Sequence, residues 1–126
     1  MTQEDKDLLI KDVSARLPYG IICRFTISTH EYRDVKITSE NIEWFNNNVD
    51  FFDLKPYLRP LSSMTEEEEK EYADIDNRSY SCPKDYAHIP ASDRIDWLNK
   101  HFFDYRGLIE KELAIKVTEK DNPYKD

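Results

Sequence analysis

Hydrophobic positions change period at Pro18-Tyr19-Gly20. Before that point Leu9, Val13 and Leu17, with Leu8 and Ile10 beside them, recur at helical spacing. They predict a helix over residues 2–16, stopped by Pro18 and Gly20. Thr2 is a candidate N-cap with Asp5 three residues on, and Glu4, Asp5 and Asp7 suit the positive end of the helix dipole. After Gly20 the period becomes two. Ile21, Cys23, Phe25 and Ile27 alternate with Arg24, Thr26 and Ser28, which predicts a strand over 21–29. Val35 and Ile37 alternate with Asp34, Lys36 and Thr38 and predict a second strand over 32–38. Ile42-Glu43-Trp44-Phe45, the Asn46-Asn47-Asn48 turn cluster and the run from Val49 to Leu54 extend this pattern. Residues 21–54 therefore read as an antiparallel meander of three or four strands.

Beyond Leu54 the pattern is broken by Pro56 and Pro60, which bracket Tyr57-Leu58-Arg59 and predict a stiff connecting loop over 55–63. Tyr57, Leu58 and Leu61 would pack from it against the sheet. Thr65 with Glu68 forms a capping box, and the Glu66–Glu69 run lies where the dipole favours it, so a helix is expected over 65–76. Residues 77–91 read as a polar loop. Ser92 is the expected N-cap of a third helix over 92–101, with Ile95, Leu98 and Phe102 on one face and Trp97 beside it. Leu113, Ile115 and Val117 alternate like a strand, while Ile109 to Leu113 also fits one helical turn. The charged tail after Thr118 contains Pro123 and is expected to fray. The whole predicts an α+β fold: an N-terminal helix, an antiparallel meander, two helices and a final extended segment. Residues 1–117 would form one domain, followed by a tail over 118–126. Helices on one face of the sheet would bury Leu9, Val13, Phe25, Ile27, Trp44, Leu98 and Phe102.

Composition adjusts this picture in two ways. At 126 residues, one core can form without staples, and 13% aromatic residues supply it despite 35% charged ones. The formal net charge is −8, and most of the excess lies in the second half around Glu66-Glu67-Glu68-Glu69. An acidic field repels phosphate backbones and anionic membranes, which argues against direct nucleic-acid or membrane binding and fits a basic protein partner. The two cysteines, Cys23 and Cys82, lie in unlike contexts, and the acidic start Glu4-Asp5 differs from a secretion signal. A cytoplasmic protein with free thiols is the expectation.

Candidate chemistry is sparse. His30, His88 and His101 fall in a turn, a loop and a helix end, with no HxH, HExxH or CxxC spacing, so no metal site is expected. Only Gly20 and Gly107 are present, too few for a phosphate-cradling loop, and no cofactor is expected. Cys82 has Lys84 nearby and no base, while Cys23 reads as a small core residue. Asp93 and Asp96 are explained by helix capping. Two segments stand out, Lys55-Pro56-Tyr57-Leu58-Arg59-Pro60-Leu61 and His101-Phe102-Phe103-Asp104-Tyr105-Arg106-Gly107. Each mixes aromatic and cationic groups on irregular backbone, the chemistry of binding hot spots. Tyr57, Arg59, His101, Asp104, Tyr105 and Arg106 are the candidate recognition residues, set against the plainer reading that they plug the core edge.

The stretch from Leu54 to Glu68, KPYLRPLSSMTEEE at its centre, is similar to one in small proteins of Bacteroides-type gut bacteria and their phages and mobile elements. So is the stretch from Trp97-Leu98-Asn99-Lys100-His101 through Phe103-Asp104-Tyr105-Arg106-Gly107-Leu108-Ile109. In that group a glycine often stands where this chain has Glu112, a departure that bears on the local turn. The resemblance implies a mobile-element accessory protein and carries over no activity. The expectation is a non-enzymatic interaction factor of a prophage or mobile element. The alternative is a small enzyme or ligand-binding protein using Arg59, His101, Asp104, Tyr105 and Arg106. An acidic imitation of DNA ranks last, because basic residues are interspersed through the chain.

Overall fold

A computed structural model describes residues 2–49, 53–81 and 88–124. The fold is α+β, with four helices and a five-stranded mixed sheet among those residues. Helix α1 runs over Gln3–Ala15, and Thr2 caps it, its Oγ1 accepting the Asp5 N–H at 3.1 Å. A 3-10 turn over Leu17–Tyr19 ends at Gly20, whose φ of 81° is left-handed. Strands β1 (Ile22–Thr26) and β2 (Tyr32–Lys36) then form an antiparallel hairpin.

The next segment departs from the expected meander. Residues Ile42–Asn48 form a short helix, α2, not a strand. The Asn41 side chain holds the turn that precedes it, its Oδ1 accepting the Thr38 N–H at 2.7 Å and its Nδ2 donating to the Lys36 carbonyl at 2.9 Å. Phe45 and Val49, one helical turn apart, are its buried anchors. Trp44 falls on the outward side and is 39% exposed, in edge-to-face contact with Phe25 at 5.8 Å. Ile27, also expected in the core, is 47% exposed because β1 ends at Thr26 and the hairpin turn begins there. Leu9, Val13 and Leu98 are buried as expected, and Phe25 and Phe102 pack against the core. Cys23 is fully buried in that core. Residues 50–52 and Cys82 lie outside the described residues.

A larger correction concerns 55–63. Asp53–Pro60 is a strand, β3, and it is the middle of the sheet. It runs antiparallel to β1 with Cys23 opposite Pro56 and Arg24 opposite Lys55. Two prolines are tolerated for a reason of parity. Just before β1, Ile21 accepts the Ile37 N–H at 2.9 Å, so by alternation Ile21 and Cys23 turn their backbone groups to β2. Cys23 therefore asks no hydrogen bond of Pro56. Pro60 is the last residue of the strand, where a missing N–H interrupts nothing beyond it. Because β3 pairs with β1, the order is β2-β1-β3 and not that of a sequential meander.

Helix α3 spans Glu66–Ser81 and α4 spans His88–Lys100. Ser92 is thus inside α4, not at its start, and His88 and Pro90 belong to the first turn, where a proline ring is well placed. After α4, two short strands join β3 in parallel: β4 (Phe103–Asp104) at Arg59–Pro60, and β5 (Ile115–Lys116) at Tyr57–Leu58. Between them lies a turn in which Asp104 accepts the Leu108 and Ile109 N–H groups at 3.0 and 2.9 Å. Glu112 closes that turn at φ 61°, the conformation glycine takes without strain.

The tail expected to fray is held. Arg24 on β1 grips the Asp121 carboxylate at 2.8 and 3.0 Å. The Tyr124 ring stacks on Phe102 with centroids 3.9 Å apart and planes 6° off parallel. Its hydroxyl accepts the Ile22 N–H at 3.0 Å and sits 2.9 Å from the Tyr57 carbonyl, filling the place where the β1–β3 ladder stops. Burial pushes the Tyr124 hydroxyl well above its ordinary pKa, so it stays protonated and able to donate. Tyr124→Phe leaves these backbone groups unpaired, and urea unfolding should show a loss of about 1–3 kcal/mol. A frayed tail would give no measurable change.

Candidate functional site

The six candidate residues go to three places. Tyr57 lies in β3 and is fully buried. Its hydroxyl accepts from Arg24 Nε at 2.7 Å and donates to Asp34 Oδ1 at 2.6 Å, tying three strands together. Burial, then the bond to Asp34, raises its pKa and outweighs the opposing effect of Arg24. A hydroxyl so held is no acid or base near neutral pH.

Asp104, Tyr105 and Arg106 serve the interior. Asp104 caps the turn that follows it. Arg106 donates to Asp12 Oδ1 at 2.7 Å, and Asp12 is fully buried on α1. Arg16, also fully buried, holds the same carboxylate through Nε and a terminal nitrogen, both at 3.0 Å. The same terminal nitrogen also donates to the Phe103 carbonyl at 2.7 Å, and the other reaches the Leu98 carbonyl at 3.5 Å. Tyr105 lies along both guanidinium groups, 4.6 Å from Arg106 and 5.3 Å from Arg16, and donates to Asn99 Oδ1 at 2.9 Å. These residues join α1 to the end of α4 and to β4.

Arg59 and His101 do converge, and they meet at Glu68. This was not among the candidate residues, although its capping-box position marked it. Glu68 accepts the Thr65 N–H at 3.0 Å while Thr65 Oγ1 accepts the Glu68 N–H at 3.1 Å. The same carboxylate takes both terminal nitrogens of Arg59 at 2.6 and 2.8 Å, a bidentate pair. His101 Nδ1 lies 3.6 Å from Glu68 Oε2, the oxygen that takes the 2.8 Å bond from Arg59. One side chain thus caps α3 and fastens it to β3. The Arg59 guanidinium also covers the Phe103 ring at 4.2 Å. Phe103 stacks on Trp97 at 5.6 Å, and Trp97 touches His101 at 4.4 Å and Tyr72 at 5.6 Å. Trp97 Nε1 donates to Glu71 at 3.2 Å. Trp97, Tyr72, Glu68 and Glu71 complete a patch that the sequence marked only through its aromatic and acidic content.

The electrostatics follow from those contacts. The hydrogen bonds from Arg59 hold Glu68 down to a pKa of about 2. For His101, burial is the largest influence and lowers its pKa, against the raising effect of Glu68 and Glu71, so the ring is mainly neutral at pH 7. The Cys23 thiol is pushed well up by burial and is not a nucleophile. Among the described residues no group of three or more His, Cys, Asp and Glu is placed to hold a metal ion. No helix among them is long and apolar enough to cross a membrane.

Comparison of the chain with protein-family models, with curated proteins and with solved structures finds no match in any of the three.

The depressed pKa of Glu68 has a definite sign in stability. A carboxylate with a lower pKa in the folded than in the unfolded chain stabilises the fold above the unfolded pKa, and that stabilisation is lost as pH falls towards about 2. The full shift corresponds to roughly 3 kcal/mol, and screening at this partly open position reduces it to about 1–2 kcal/mol. Glu68→Gln should lose that amount at pH 7 and show a flatter dependence of stability between pH 5 and pH 2, followed by urea unfolding across that range. Parallel pH curves for the two proteins would contradict the assignment.

Proposed function

We propose that this protein is a non-enzymatic interaction factor that binds a basic segment of a partner protein through the α3–α4 face. The observation that carries this reading is the half-buried Tyr72–Trp97 pair set among exposed carboxylates. Tyr and Trp are the side chains that most often anchor interfaces, because they bury large area with few rotatable bonds. Glu67, Glu71 and Asp74 are exposed on α3. A small groove of about 230 Å³ runs beside them, lined by Glu71, Asp74, Ile75 and Trp97. Its chemistry suits a lysine or arginine side chain: an indole face for the cation and two carboxylates for its charge. The net charge of −8 steers a basic partner towards the protein at long range.

The commitment of Asp104, Tyr105 and Arg106 to capping and to the Asp12 carboxylate weighs against an enzyme built on the full Arg59–Arg106 set. A prophage or mobile-element setting is supported by the resemblance of the 54–68 and 97–109 segments. A recombinase, restriction or phage structural gene beside this one would agree with it.

The test is paired capture from lysate of the cells that encode the protein. Immobilised wild type should retain a basic protein that Glu71→Lys/Asp74→Lys bait retains at least about tenfold less, since each reversed charge faces the partner. Equal recovery on both baits, or none on either, would contradict the reading.

A further inference from the structure

Among the described residues, three cationic side chains and the mainly neutral His101 gather on one groove of this acidic protein. The groove is made of two adjoining hollows, about 390 and 420 Å³, with Arg59 and Asn122 on both linings. Lys100 and His101 line the first part and Lys116 the second. Glu119 is the only acidic residue on either lining among the described residues, while Glu68 sits against the end of Arg59. The cations arrive from three places: β3, the end of α4, and β5. The dipole of α4 accounts for a cation at its end, but not for Arg59 or Lys116, which come from strands. The carbonyls at that end are already answered. Trp97 accepts the His101 N–H at 3.1 Å and Asn99 accepts the Phe102 N–H at 3.1 Å.

Two further features mark this groove. Phe102 has a φ of 61°, in the left-handed region that a bulky side chain adopts at a cost of about 1 kcal/mol or more. That conformation turns its ring onto Tyr124, and the stacked pair lines the first part of the groove. Its carbonyl accepts the Arg59 N–H at 2.7 Å, which locks the turn to β3. The second part adds the hydroxyl-bearing Ser63 and Thr118. Cationic groups, the Thr118 hydroxyl and a flat aromatic wall thus line two adjoining hollows.

We propose that this groove binds a small organic oxyanion, a phosphate monoester or a carboxylate carried on a flat apolar group. The anion lies between Arg59, Lys100 and Lys116, and the flat portion rests on the Phe102–Tyr124 rings. Glu68 fixes the Arg59 guanidinium in place, so that side chain needs no ordering when the ligand arrives. The site goes beyond the interaction reading, and either can fail without the other: this one needs no protein partner.

The test is a set of titrations followed by amide ¹H–¹⁵N NMR, with phenyl phosphate, benzoate, inorganic phosphate and uncharged benzyl alcohol. Saturable shifts at Lys100, His101 and Asn122 are expected with phenyl phosphate or benzoate, the tighter of the two naming the anion. Inorganic phosphate should bind about tenfold more weakly because it forgoes the ring contact. Lys100→Gln/Lys116→Gln, both exposed positions, should weaken the preferred ligand at least about tenfold with a melting temperature within a few degrees of wild type. Shifts that fail to saturate, that benzyl alcohol reproduces equally, or that persist undiminished in the double variant would overturn the proposal.

Discussion

The structure depends on a charge it buries. Asp12 on α1 and Arg16, the residue that caps its C-terminus, lie one turn apart at positions that continue the Leu9–Val13 stripe, and both are fully buried. A lone pair of this kind rarely repays its desolvation. Here the pair is not alone. Arg106 gives Asp12 a second cation, and Arg16 spends its outer nitrogen on the Phe103 carbonyl. The network therefore does what apolar packing alone would not: it fixes where the chain leaving α4 must pass relative to α1. Phe103 and Asp104 can then lie along β3, and the turn beyond them can be capped by Asp104.

The outer patch inherits its geometry from that constraint. Once Phe103 is pinned, its buried ring offers one face to Trp97 and another to the Arg59 guanidinium. Glu68 can then reach Arg59 only if α3 begins where its capping box starts it. Two polar networks on opposite sides of Phe103, one buried and one at the surface, so determine how α3 and α4 sit on the sheet. The tail adds a third tie through Asp121 and Tyr124, and it completes the wall of the groove beside Arg59.

Features written in consecutive residues were legible in the sequence. The Thr2 cap, the Thr65–Glu68 box and the alternation of Ile21, Cys23 and Phe25 each specify local backbone, and each formed as read. What escaped depended on partners distant in sequence. Pro56 looked like a break because its missing N–H matters only if a neighbour needs it, and Cys23 does not. Ile42 to Phe45 alternated like a strand, yet Phe45 and Val49 carried a helical signal that the asparagine run obscured. The His101–Arg106 segment read as one surface because its residues are adjacent. In space the chain turns at Phe102, so His101 faces outward to Glu68 and Arg106 inward to Asp12. The i, i+4 spacing of Asp12 and Arg16 on an apolar stripe was the available signal for the buried network.

The most direct measurement is the unfolding free energy of Arg16→Met, which keeps the volume and removes the charge. If the Asp12–Arg16–Arg106 network holds α1 to the end of α4, the variant leaves Asp12 underpaired and the Phe103 carbonyl open. Urea unfolding should then show a loss of about 3–5 kcal/mol. A loss below about 1 kcal/mol, the size of an exposed ion pair, would contradict the account.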